Sequence, residues 1–159
     1  MVLMQGIYLA FQGCEKNILK TLLSGIDFSD YQFDVGHFEA RKEFFLHPDW
    51  EYLEEQALIT SDEAKKRLLE NENDYEVIEN LSLLVRNKTT RKKKIQTFKD
   101  LVDGDYEIAL KVIDHSVVQV FSTKESVLKK IMCNVKGFDA PLASIRPFEH
   151  VELNTLIGV

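Results

Sequence analysis

The apolar pattern of this chain changes period at Tyr75, and that change limits the folds open to it. Tyr75, Val77, Leu81, Leu83 and Val85 fall on one face of an extended segment, with Glu76, Asn80, Ser82 and Arg86 on the other and Ile78 and Glu79 breaking the alternation. A period of two marks a half-buried strand. Tyr106, Ile108, Leu110 and Val112 alternate again, and Val117 to Phe121 reads as a return strand after a tight turn at Asp114-His115-Ser116. Two helical stripes accompany these strands. One carries Ile95, Phe98, Leu101 and Val102 with Gly104 just past its end; the other carries Val127, Leu128, Ile131 and Met132, opened by a Ser122/Glu125 capping box and ended by Gly137. With a final extended segment between Leu142 and Leu156, residues 75–156 read strand, helix, strand, strand, helix, strand. That is the ferredoxin-like βαββαβ order, in which helices lie mainly on one face of an antiparallel or mixed sheet. Half-buried strands suit such a sheet better than an all-parallel one, which is apolar on both faces.

The first 46 residues add a βαββ unit. Gly6 to Gln12 reads as a strand, and Ile18, Leu19, Leu22 and Leu23 form the stripe of a helix closed by Gly25. Tyr31, Phe33 and Val35 alternate, Gly36 breaks the pattern, and a second extended stretch runs from Phe38 to Leu46, so a hairpin about Gly36 is expected. Residues 48–72 read as acidic helices. Pro48 opens one with Trp50, Leu53 and Ala57 inward, and a Thr60/Glu63 capping box opens a second whose apolar face is only Ala64, Leu68 and Leu69. At 159 residues, 45% of them hydrophobic, the chain has the size and composition of one globular α+β domain. The pattern leaves open whether the N-terminal unit shares the sheet of the C-terminal one.

Charge is segregated. Residues 48–79 hold eleven acids against Lys65, Lys66 and Arg67, whereas residues 80–99 hold seven bases and no acid. The basic arm, Arg86, Lys88, Arg91, Lys92, Lys93 and Lys94, falls on the connection between a strand and a helix, and these six residues are the candidate binding site. Cationic heads and backbone N–H groups there can converge on an anion. The net charge of -6 opposes general attraction to nucleic acid or anionic membrane. No aromatic stands between Tyr75 and Phe98, and the face of Glu107, Ala109 and Lys111 offers no stacking platform, which argues further against nucleic acid.

Recognisable catalytic chemistry is absent from the sequence. Asp114-His115-Ser116 has the residue types of a hydrolase triad, but consecutive side chains cannot align, and a turn explains it better. No His-Glu-x-x-His, glycine-rich phosphate loop or calcium loop occurs, and Asp103-Gly104-Asp105 reads as a helix exit. The pattern therefore names no catalytic residue, metal ligand or cofactor. Cys14 and Cys133 are too far apart for a metal-ligand spacing and read as buried free thiols. With no secretory signal and no apolar run of membrane-spanning length, a cytoplasmic location is expected.

The stretch from Phe98-Lys99-Asp100-Leu101 through Asp105-Tyr106-Glu107-Ile108-Ala109-Leu110-Lys111-Val112-Ile113-Asp114 to Gly137-Phe138, together with Gly6-Ile7, resembles an uncharacterised family of small Bacillus proteins, a domain-of-unknown-function family. The resemblance covers about half the chain and implies a bacterial cytoplasmic protein; it carries no site residue. Size, charge segregation and the missing motifs together point to a non-enzymatic protein-interaction or regulatory module. Two alternatives stay open: a nucleic-acid or phosphorylated-ligand binder using residues 86–94, and an enzyme with dispersed catalytic residues that could include His47 or His150. Oligomeric state is not legible.

Overall fold

The computed structural model describes residues 5–10, 18–42, 45–46, 61–70, 76–137 and 142–147. Among these described residues, seven strands form one sheet: β1 (Gln5–Ala10), β2 (Tyr31–Lys42), β3 (Phe45–Leu46), β4 (Glu76–Asn87), β5 (Tyr106–Ile113), β6 (Val117–Ser122) and β7 (Leu142–Pro147). Every pairing is antiparallel, in the order β3-β2-β4-β5-β6-β1-β7. The helices are α1 (Ile18–Leu22), α2 (Ser61–Lys65, continuing as one π turn over Lys66–Glu70), α3 (Phe98–Asp103) and α4 (Glu125–Val135). The class is α+β, as expected. The N-terminal strands make no sheet of their own: β2 extends one side of the sheet, and β1 sits between β6 and β7.

That insertion departs from the ferredoxin-like order. A split βαβ would leave room for another strand between β4 and β5, yet these two pair directly, Leu83 opposite Leu110, with α3 in their connection. Element order along the chain is the same in both arrangements. The pairing of β1 with distant strands is what separates them.

Three bulges account for the breaks in alternation. In β4, Ala40 pairs with Ile78 and Glu39 with Asn80, leaving Glu79 as the extra residue and bringing Ile78 onto the face of Leu81, Leu83 and Val85. In β2 the extra residue is Gly36, so the expected hairpin is instead one twelve-residue bulged strand. β2 pairs with β3 at its far end, Arg41 opposite Leu46 and Lys42 opposite Phe45. In β5 the extra residue is Glu107, which places Tyr106 on the face opposite Ile108.

The main core lies on one face. Ile7, Leu9, Phe33, Phe38, Leu81, Leu83, Leu110 and Val120 of the sheet pack against Leu19 and Leu22 of α1, Ala64 and Leu68 of the α2 segment, and Leu128 and Ile131 of α4. The thin apolar face expected for α2 is what it buries, with Asp62 and Lys66 exposed. The second face carries a smaller cluster, Leu84, Ala109 and Phe121 under Ile95, Phe98 and Leu101 of the α3 region, with Tyr8 at its margin. Helices therefore lie mainly, not wholly, on one face. Phe98 and Phe121 meet edge to face at 4.7 Å, and Tyr8 meets Phe121 at 6.1 Å. The second face thus has aromatics that β5 alone did not reveal, and α3 covers Phe121.

Chain ends and turns follow local chemistry. Thr97 and Asp100 make a reciprocal capping box at the start of α3. The box expected at Ser122/Glu125 is not formed. Ser122 Oγ instead donates to the Glu107 carbonyl at 2.7 Å and accepts from Lys124 N–H, and α4 begins without a side-chain cap. Asp114 and His115 both have positive φ, 47° and 53°, which is the type I′ hairpin turn. Its backbone docks on β4, His115 N–H donating to the Glu79 carbonyl at 2.8 Å and Asp114 N–H to Asn80 Oδ1 at 3.1 Å. Cys133 is exposed rather than buried. Cys14, the Pro48 helix, the Thr60/Glu63 box, His47 and His150 lie outside the described residues.

Candidate functional site

The six basic residues do not form one set. Arg86 ends β4 on the second face, opposite Gln32. Its Nε donates to Asp34 Oδ2 at 2.7 Å, its Nη1 to the Thr90 carbonyl at 2.8 Å, and its Nη2 reaches Gln32 Oε1 and Asp34 Oδ1 at 3.4 Å. Only 12% of the Arg86 side chain and 13% of the Asp34 side chain is exposed. The Asp34 carboxylate raises the Arg86 pKa, foremost by hydrogen bonding. Arg86 is an anchor, and its cationic head is not available to a ligand.

Tyr106 completes the anchor. It is 2% exposed, placed on this face by the Glu107 bulge, and its hydroxyl accepts from Lys93 N–H at 3.2 Å. Its single proton has Asp34 Oδ2 at 3.3 Å and the Lys93 carbonyl at 3.4 Å within reach. Burial, first of all, raises its pKa. The backbone between β4 and α3 is thereby tied at Thr90 through Arg86, at Lys93 through Tyr106, and at Ile95 by burial in the smaller core.

Arg91, Lys92, Lys93 and Lys94 are all exposed on this tied segment, which has no regular secondary structure. Lys88 is also exposed, in the turn after β4, where its N–H donates to the Asp30 carbonyl at 2.8 Å. The tied backbone thus presents five exposed cations. Arg86 could not be told from these five in sequence, because its partner stands 52 positions away. Lys65 of α2 was missed altogether. Its pKa is lowered, first by burial and then by Lys88, which places a sixth cation in the field of the loop, with Asp62 and Asp30 opposing.

Among the described residues, no group of three or more His, Cys, Asp and Glu side chains could hold a metal ion. His37 Nε2 and Glu39 Oε1 lie 2.8 Å apart, and Asn80 Nδ2 donates to Glu39 Oε2 at 2.9 Å. No described helix is long and apolar enough to cross a membrane.

No curated protein and no solved structure matches the chain. The family described as "Protein of unknown function (DUF2691)" matches residues 4–143, most of the chain and well beyond the half that carried the resemblance. The chain belongs to that family of proteins of unknown function.

Proposed function

We propose that this is a bacterial cytoplasmic, non-enzymatic interaction module that docks an acidic segment of a partner protein on the loop of Lys88 and Arg91 to Lys94. The observation that supports this most is the anchor: a buried Arg86–Asp34 pair with Tyr106 holds the backbone beneath four consecutive exposed cations. A merely solvated connection has no use for such bracing. Buried ionic groups are weak contributors to net stability, so a role in fixing geometry is the better reason for this pair. Nucleic acid is the weaker reading, because the aromatics beside the loop, Phe98 and Tyr106, are buried and offer no stacking surface.

Fluorescence anisotropy with a short oligoglutamate peptide and a single-stranded oligonucleotide of matched charge tests the proposal. The peptide binds in low salt and releases in high salt. Replacing Arg91, Lys92, Lys93 and Lys94 together by serine abolishes binding, whereas replacing the exposed Lys129 and Lys130 of α4 leaves it unchanged. Peptide binding that survives the loop variant would sink the proposal. Preference for the oligonucleotide would select the nucleic-acid reading instead.

A further inference from the structure

Beside the α3-covered cluster, one row of residues crosses the part of the second face that no described helix covers. Cross-strand pairing sets His37 beside Ser82, Ser82 beside Lys111, Lys111 beside Gln119 and Gln119 beside Tyr8. Directly paired side chains share a face, about 5 Å apart at Cβ. The polar groups alongside are satisfied: Glu39 is taken by His37 and Asn80. Ser82, Lys111 and Gln119 differ. Among the described residues none of these three side chains has a hydrogen-bond or ion-pair partner, although Ser82 is only 8% exposed and Lys111 is half-buried. A void of about 10 Å³ is lined by both Ser82 and Lys111.

A buried hydroxyl without a partner and a half-buried ammonium without a counter-ion are unfavourable in a folded protein. Both are relieved by one ligand group that accepts hydrogen bonds and carries negative charge. We propose that Lys111, Ser82 and Gln119 form a binding site for a small monocarboxylate with an apolar body. One ammonium with two neutral donors matches the single charge and two oxygens of a carboxylate; a phosphate dianion calls for more cations. The apolar body has a surface to rest on. The next row of the same face holds Ile113, 38% exposed, paired with the partly exposed Val117. Burial lowers the Lys111 pKa, and a bound anion reverses that shift. The site is separate from the basic loop and stands whether or not the loop binds a partner.

Titration of the whole protein with butyrate, followed by amide NMR, tests the site, with butyramide and inorganic phosphate as comparisons. Butyrate gives saturable shifts centred on residues 82, 111 and 119, butyramide gives none, and phosphate binds more weakly. Lys111→Met weakens butyrate by roughly tenfold or more, and Ser82→Ala by a smaller factor. The amide spectrum of each variant reports folding independently, and Lys111→Met removes an unpaired ammonium, so it keeps the fold. No saturable shift, equal binding by Lys111→Met, or equal binding of butyramide would overturn the site. Phosphate binding as tight as butyrate overturns the carboxylate assignment.

Discussion

At the scale of the residue, identical side-chain types play opposite parts because of what stands across the sheet from them. Arg86 is neutralised by Asp34 and disappears into the structure, while Arg91, five positions later, stays in water. Lys111 has no such partner, and its energetics follow a definite sign. A lysine whose folded pKa lies below its unfolded value of 10.5 binds fewer protons in the native state than in the unfolded one. It therefore destabilises the fold most below its folded pKa, and the penalty fades as pH rises through that value towards 10.5. Lys111→Met accordingly stabilises the protein at neutral pH, and by less in alkaline solution, in chemical denaturation at the two conditions. A gain that is the same at both pH values contradicts the assignment. None of this was legible in sequence, where Lys111 read only as a polar residue on the outward face of a strand.

Elements were largely legible where local chemistry decides them. The stripes of α1, α3 and α4 and the turn at Asp114-His115 stand where periodicity and turn chemistry placed them. The failures share one cause. Bulges at Gly36, Glu79 and Glu107 shift the phase of a strand by one residue, so alternation counted through them assigns later side chains to the wrong face. Tyr106 is the case with functional weight, since its bulge turns its hydroxyl to Lys93. Caps were misjudged for a related reason: Ser122 meets the Glu107 carbonyl across the sheet, a contact outside any local motif. Thr97, in contrast, bonds only within its own segment, accepting from Asp100 N–H at 3.2 Å. Thr97→Ala therefore costs about 1 kcal/mol of stability, measured by denaturant titration, and a loss near zero would show that the capping box contributes nothing.

At the scale of the whole molecule, the α+β class was readable and the topology was not. Counting elements gives helices and half-buried strands. It does not reveal that β1 enters between β6 and β7, or that β2 lies against β4, because such pairings join segments up to about 140 positions apart and leave no local trace. Those long-range pairings also assemble the site. Asp34 comes from the N-terminal unit, Arg86 and Tyr106 from the C-terminal one, and only their meeting in one sheet fixes the basic loop. On the proposal of an acidic partner, this junction shapes the loop beyond merely supplying charge. Arg86→Lys tests it most directly, since it preserves net charge while removing the forked contact to Asp34 and the bond to Thr90. In the oligoglutamate titration at low salt, the variant is expected to stay folded and to bind several-fold more weakly than the unaltered protein. Unchanged affinity would contradict it and reduce the loop to its charge alone.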